Sequence, residues 1–135
     1  MVVWGGKKPG IGVALYLAER GKKVTLVSRE RKVGKDVNPS YIWRYIKKMN
    51  QKRVKTYKEC DIEEITETGV VVKNHYGTRI PVQADTVIYA EREARQQLKA
   101  AVKEQNIELH VIGDALIPRA LSNALHDGYR TGIRL

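Results

Sequence analysis

The 135-residue sequence contains a single cysteine, Cys60. One cysteine cannot form an internal disulfide, so a disulfide-stabilised scaffold is excluded and a reducing compartment suits the chain. Glu59 and Asp61 flank this thiol, and neither supplies the positive charge that stabilises a thiolate. The sequence therefore predicts a structural cysteine and not a nucleophile.

Long hydrophobic runs are also missing. No uncharged apolar stretch approaches the roughly 20 residues of a transmembrane helix, and the N-terminus shows no signal-like pattern. With 42% hydrophobic residues, a chain of this length forms one modest domain that buries about two-thirds of its unfolded surface. We expect a soluble, cytoplasmic protein without a membrane partner, and the sequence leaves a homo-oligomer open.

Side chains that carry chemistry are not clustered. The three histidines, His75, His110 and His126, are too dispersed for the ligand spacing of a metal site. No serine or cysteine has a recognisable base beside it. The sequence therefore predicts no metal site and identifies no catalytic residue.

Acidic residues are few: the 25 lysines and arginines outnumber the 15 aspartates and glutamates, which gives a formal net charge of +10. Such a field attracts polyanions, and a phosphorylated cofactor, nucleic acid or an acidic partner would all satisfy it. The basic residues come without a helix-turn-helix signature, a zinc site or an RNA-binding aromatic motif. Nucleic acid is therefore the minority interpretation.

A glycine-rich turn near the N-terminus is the most informative feature that is present. The apolar run Val2–Trp4 is followed by Gly5-Gly6-Lys7-Lys8-Pro9-Gly10 and then by a helical pattern over 11–20. In a dinucleotide-binding turn the first glycine permits the bend, the second admits the pyrophosphate, and the third lets the helix pack on the strand. Gly5, Gly6, Lys7 and Gly10 are thus candidate cofactor-binding residues. Glycines in a strand-to-helix turn can also be purely conformational, and that alternative stays open.

The next strand, predicted over 23–28, ends in residues that bear on cofactor choice. An acidic residue at this point binds the 2′-hydroxyl of NAD, whereas a small polar residue with arginine accommodates the 2′-phosphate of NADP. Ser28 and Arg29 favour NADP(H), with Arg31 as a second candidate clamp. Glu30 keeps NAD open, and solvated loop charges are the other alternative.

The remaining pattern predicts an α/β fold, with a Rossmann-like parallel sheet and a three-stranded antiparallel meander. Asn38-Pro39-Ser40 begins a second helix, whose apolar stripe from Tyr41 to Met49 is expected in the core. Strands follow over 54–57, 62–66, 70–73 and 79–82, of which the last three form the meander. A buried strand over 85–90, a helix over 92–104, a strand over 109–114 and a final helix over about 118–129 complete the prediction.

Several segments resemble the C-terminal part of the flavin oxidoreductases grouped with 2,4-dienoyl-CoA reductase, NADH oxidase and trimethylamine dehydrogenase, of the pyridine nucleotide-disulfide oxidoreductase type. They are YLAERGKKVTLVSRE, DVNPS, ITETGVVVKN, ADTVIYA and LHVIGDALIPRALSNALHDGYRTG. The resemblance implies that residues 1–90 are an NAD(P)-binding domain and residues 91–135 the returning part of an FAD-binding domain, packed as one globular unit. Gly113 and Asp114 then match the flavin-contacting Gly-Asp, and Ala90 is the remaining candidate cofactor-binding residue.

The resemblance also implies parts that lie outside this sequence. Family members have an FMN-binding barrel with an iron–sulfur cluster and a first glycine turn for FAD, so FAD binding here needs a partner segment. The implied function is the NAD(P)H-binding fragment or subunit of an FAD/NAD(P)-dependent oxidoreductase, inactive alone. Because Glu91 is unfavourable beside a pyrophosphate, a non-catalytic subunit or assembly module with a degraded cofactor site is the alternative, and a nucleic-acid module comes third.

Overall fold

The computed structural model describes residues 1–103, 105 and 107–135. It contains two compact units, Met1–Glu91 and Arg92–Leu135. The strands and helices of the first unit are β1 (Val2–Trp4), α1 (Lys8–Glu19), β2 (Thr25–Val27), α2 (Pro39–Gln51), β3 (Lys55–Tyr57), β4 (Cys60–Thr66), β5 (Gly69–Asn74), β6 (Arg79–Gln83) and β7 (Val87–Tyr89). The second unit contains α3 (Gln97–Lys103), a 3₁₀ turn (Gly113–Ala115) and α4 (Leu121–Gly132).

Four short parallel strands form the central sheet of the first unit, in the order β3-β2-β1-β7. Side chains alternate across a strand, so neighbouring residues serve opposite faces. Val3 belongs to a core cluster with residues of α1 and α2, whereas Val2 belongs to a cluster with residues of β4 and β5. Both faces of the sheet are therefore covered, as a parallel sheet requires.

The face of the parallel sheet that α1 and α2 cover is packed with apolar side chains. Ile11 and Ala14 of α1 are fully buried, and Met49 of α2 is almost fully buried in the same cluster. Tyr41, which the sequence pattern places in the core, is instead exposed, with the Arg44 guanidinium above its ring. Tyr41 starts the helix stripe at the end farthest from Met49, where the aromatic ring gains cation contact and keeps its hydroxyl in water.

The other face carries the antiparallel sheet β4-β5-β6. Cys60, Ile62, Val70 and Val72 pack there with Val2 and Val27 of the parallel sheet. A register irregularity lies between Ile62 and Glu64, so β4 bends where it leaves the core. The predicted α/β class, with a Rossmann-like parallel sheet and a three-stranded meander, is confirmed.

The ends of the elements follow local chemistry. Helix α1 begins at Lys8, three residues before the predicted start, because Pro9 fits the first turn of a helix. Gly21 follows this helix with a φ of +76° and supplies the left-handed cap expected from the sequence. The side chain of Asn38 accepts a hydrogen bond from the Ser40 N–H and caps α2.

The second unit differs most from the sequence prediction. The strand predicted over 109–114 does not form, and within the described residues this segment pairs with no other strand. Helix α3 covers only Gln97–Lys103 of the predicted 92–104, and Glu104 lies outside the described residues. Among the described residues, no helix has the length and apolarity to cross a membrane.

The two glycines of α1 give opposite expectations for the same substitution. A Cβ at Gly10 would lie 1.8 Å from the Gly5 carbonyl oxygen, whereas a Cβ at Gly12 meets nothing within 4 Å. We expect Gly10→Ala to lower the free energy of unfolding by about 1–3 kcal/mol through overpacking. The matched control Gly12→Ala should raise it by up to about 1 kcal/mol through helix propensity. Urea denaturation followed by circular dichroism measures both, and equal midpoints would contradict the placement of the turn.

Candidate functional site

The glycine turn lies where three parallel strands end. Gly5 has a φ of +136°, and its N–H donates to the Val27 carbonyl at 2.9 Å. A Cβ on Gly5 would lie 2.9 Å from the carbonyl carbon and oxygen of Ala90. The ends of β1, β2 and β7 therefore converge on a residue that only glycine satisfies.

The other two glycines are also required by the chain itself. A Cβ on Gly6 would lie 2.0 Å from Ser28 Oγ, and one on Gly10 would overlap the Gly5 carbonyl. Lys7, half-buried, stands where the dinucleotide fingerprint has the glycine that admits a pyrophosphate. The packing glycines of the fingerprint are thus present, and the glycine for ligand approach is replaced.

Two carboxylates lie beside this turn. Lys7 Nζ pairs with Glu91 Oε2 at 3.3 Å, and the Glu91 side chain is only 11% exposed. Asp36 Oδ1 accepts a hydrogen bond from the Lys8 N–H at 2.8 Å. Sequence reasoning identified Glu91 and missed Asp36, because no local pattern connects a loop residue to a helix that begins 28 positions earlier.

Ser28 faces into the protein. The residue is fully buried, and its Oγ accepts a hydrogen bond from the Glu30 N–H at 3.1 Å. Its hydroxyl therefore shapes the turn that follows β2. Arg31, the second candidate clamp, is exposed.

Arg29 is held in place at the end of β2. Its Nε pairs with Asp61 Oδ2 at 2.8 Å, and its guanidinium lies 5.4 Å from the centre of the Trp4 ring. The hydrogen bond that Arg29 donates to Asp61 is the main cause that raises the pKa of Arg29. Because the Arg29 side chain is still 55% exposed, this cation is both positioned and accessible.

Asp61 ties Arg29 to the sheet. Its Oδ1 accepts hydrogen bonds from Trp4 Nε1 and from the Ile62 N–H, each at 2.9 Å. The Trp4 ring in turn meets Tyr89 edge-to-face, with centroids 5.0 Å apart. An open cleft of about 210 Å³ adjoins Arg29 and Asp61 and is also lined by Glu59, Cys60, Lys73, Asn74 and His75. Nothing in the sequence pattern indicates this network, because β1, β4 and β7 meet only in the fold.

Gly113 and Asp114 form a separate turn in the second unit. Gly113 has a φ of +61°, and its N–H donates to Asp127 Oδ2 at 3.2 Å. Asp114 Oδ1 accepts from the Arg119 N–H at 3.3 Å, and the Arg119 guanidinium pairs with Asp127. These contacts tie the turn to the start and middle of α4.

The sequence candidates thus fall into two groups. Most of those in the first unit meet at the carboxyl ends of β1, β2 and β7: Gly5, Gly6, Lys7, Gly10, Ser28, Arg29 and Ala90. Arg31, also in the first unit, is exposed in the loop after β2. Gly113 and Asp114 belong to the second unit. No group of three or more histidine, cysteine or acidic side chains that suits a metal occurs in the part of the chain that the structure describes.

Comparison with known proteins identifies the family of this chain. Residues 1–111 match the family described as pyridine nucleotide-disulphide oxidoreductase. The chain belongs to this family. The resemblance to flavin oxidoreductases that the sequence motifs indicate is thereby confirmed.

Two relatives are much longer than this chain. A metal reductase of Desulforamulus reducens is 29% identical over an alignment of 164 residues, which covers 99% of this chain and 24% of that protein. An NADH oxidase of Thermoanaerobacter brockii is 26% identical over 132 residues, covering 96% of this chain and 20% of that protein. The chain therefore spans about a quarter or less of the length of these relatives.

Solved structures of longer proteins share the fold of this chain. A 2-naphthoyl-CoA reductase in complex with 2-naphthoyl-CoA superposes with a TM-score of 0.73 at 33% identity, covering 99% of this chain and 21% of that one. Histamine dehydrogenase from Rhizobium sp. 4-9 has a TM-score of 0.74 at 22% identity, covering 96% and 22%. The similarity to histamine dehydrogenase, at this identity, shows a shared fold alone.

The reactivity of Cys60, which lines the cleft beside Arg29, tests whether this thiol is protected in the folded protein. Burial, and then the charge of Glu59, raises the pKa of the thiol above its ordinary value. Since the thiolate is the reactive form, we expect native protein at pH 8 to react with an aromatic disulfide reagent far more slowly than urea-unfolded protein. Absorbance of the released thiolate measures the rate, with Cys60→Ser as the blank. Equal rates in the two states would contradict a protected, structural thiol.

Proposed function

We propose that residues 1–91 bind NAD(P)H, with a preference for NADPH, as the nicotinamide-side platform of a larger FAD/NAD(P)-dependent oxidoreductase of the 2,4-dienoyl-CoA reductase or NADH oxidase type. The observation that carries the proposal is one edge of the parallel sheet. There the glycine turn leads into the N-terminus of α1, and the exposed cation Arg29 follows β2. Ligands of open α/β sheets bind at this edge.

The proposed cofactor fits these residues by chemistry. The backbone around Gly6, Lys7 and Gly10 would face the pyrophosphate, since a helix N-terminus offers N–H groups and a positive dipole end. Arg29 would contact the 2′-phosphate through its terminal nitrogens, because its Nε already engages Asp61. When bound, NADPH supplies the hydride, and the chain's own residues bind and orient it.

We further propose that Gly113 and Asp114 contact FAD only when a partner segment completes the site. Four large side chains of α4 and its C-terminal end, spaced four residues apart, are at least 65% exposed: Leu121, Leu125, Tyr129 and Ile133. An apolar row of this kind is typical of a surface that another element covers. The greater length of the relatives supports a flavoprotein partner that carries the FMN barrel and the FAD half-domain.

One observation favours the second candidate function, a non-catalytic module that keeps the fold with a weakened cofactor site. Lys7, the cation nearest the glycine turn, is paired with the mostly buried Glu91. That pairing offsets the charge that a pyrophosphate would use. The two candidates differ in whether the isolated chain binds NADPH measurably.

The NADPH proposal is tested by titration calorimetry. We expect the unmutated chain to bind NADPH more tightly than NADH, and Arg29→Ala to remove the difference through loss of a charge-assisted contact of about 1.5–3 kcal/mol. Arg44→Ala is the control, since it removes the same charge from an exposed position on α2. Equal affinities in the unmutated chain would contradict the NADPH preference. No binding of either dinucleotide would favour the non-catalytic module, and binding to a random oligonucleotide that falls steeply with salt would favour nucleic acid.

The flavin proposal is tested by colour. Without a partner segment the flavin would lack its pyrophosphate contacts, each hydrogen bond contributing about 0.5–1.5 kcal/mol. We expect the purified chain to be colourless, with no absorbance near 450 nm, and Asp114→Ala to change the melting temperature alone. A yellow preparation with stoichiometric flavin would overturn the need for a partner.

A further inference from the structure

The first turn of α1 is short of donors. A helix begins with four N–H groups that have no partner inside it. Here the Lys8 N–H donates to Asp36 Oδ1 at 2.8 Å, and Pro9 has no N–H to offer. The first bond within the helix runs from the Ile11 N–H to the Lys7 carbonyl. Two of the four positions are thus withdrawn from any ligand of the turn.

Asp36 is brought to this place by its own loop. The Gly34 N–H donates to the Gly6 carbonyl at 2.7 Å, and the Val37 N–H donates to the Gly34 carbonyl at 2.9 Å. Gly34 has a φ of +73°, and a Cβ there would lie 2.2 Å from the Ile42 side chain. The loop after β2 is therefore fastened to the glycine turn at Gly34, and the hydrogen bond from Val37 back to Gly34 closes a turn that carries the Asp36 carboxylate.

The carboxylate itself remains accessible. Asp36 is exposed, so its hydrogen bond to Lys8 faces competition from solvent and from any anion that approaches the helix. A negative charge at this point already satisfies the helix dipole. Glu91, which pairs with Lys7, adds a second carboxylate from the end of β7. Two carboxylates of the chain itself, those of Asp36 and Glu91, therefore already contact the turn.

We infer that Asp36 is the residue that sets the affinity of this turn for a diphosphate: its carboxylate holds the first N–H of α1, and a bound pyrophosphate must displace it or tolerate it. The inference rests on the proposed function, since it concerns the same turn. It assigns to Asp36 an inhibitory part in nucleotide binding, and it makes the dinucleotide affinity of the native chain lower than its glycine pattern suggests.

The test compares Asp36→Asn with the unmutated chain. Asparagine keeps an oxygen acceptor for the Lys8 N–H and removes the charge. Inorganic pyrophosphate and ADP are the probes, titrated by calorimetry at low salt, where electrostatic effects are largest. We expect both to bind about three- to tenfold more tightly to Asp36→Asn, the size expected for one charge at a helix N-terminus. Asp85→Asn is the matched control, because Asp85 is an exposed acid of the same unit that pairs only loosely with the N-terminal amine, at 3.8 Å.

An unchanged or weaker affinity in Asp36→Asn, or an equal gain in Asp85→Asn, would overturn the inference. If Asp36→Asn shows no cooperative thermal transition, Asp36→Ala replaces it, since alanine also removes the charge. NADPH binding by the unmutated chain without a gain in the variant would leave the proposed function standing and reject the inference. A gain in pyrophosphate affinity in Asp36→Asn, in a chain that does not bind NADPH, would support the inference and reject the proposed function.

Discussion

The close approach of α1 to the end of β1 is the constraint on which the first unit depends. Gly10 lies against the Gly5 carbonyl with no room for a side chain, and Gly6 lies against Ser28 in the same way. This approach sets the start of the helix beside the ends of three strands, and it brings the loop after β2 within hydrogen-bonding distance of the turn. The glycine turn, the N-terminus of α1 and the loop that carries Asp36 take their places from these contacts.

Charge is distributed differently at the site and over the whole chain. The net charge is +10, yet the groups at the sheet edge are matched with acids: Lys7 with Glu91, Arg29 with Asp61, and the Lys8 N–H with Asp36. An exposed ion pair such as that of Arg29 with Asp61 contributes little to stability. The effect of these three contacts is on position and on local potential, because each one orients a donor and lowers the positive potential at this edge of the sheet.

The second unit contains a strand-like segment without a pairing partner and an exposed apolar helix face among the described residues. Residues 109–114 have the composition of a strand, but within the described residues they pair with no other strand, so the hydrogen-bonded ladder that a strand needs does not form. The apolar row on α4 is likewise exposed, since hydrophobic burial requires a surface to bury against. Both features agree with relatives four to five times as long as this chain.

The sequence by itself determined the elements whose signals are local: the glycine turn, the strand periodicity, the meander with its short connections, the cap at Gly21, and the family that these segments resemble. Glycine, proline and apolar period act within a few residues, so they can be recognised without the fold. Tertiary structure alone decided which charges meet. Asp36 reaches Lys8 through a loop, and Asp61 reaches Arg29 and Trp4 from a different sheet. Ser28, a predicted cofactor-binding residue, is fully buried, and its Oγ lies where a side chain on Gly6 would be. Such contacts depend on how strands and loops pack at long range, and no spacing along the chain encodes them.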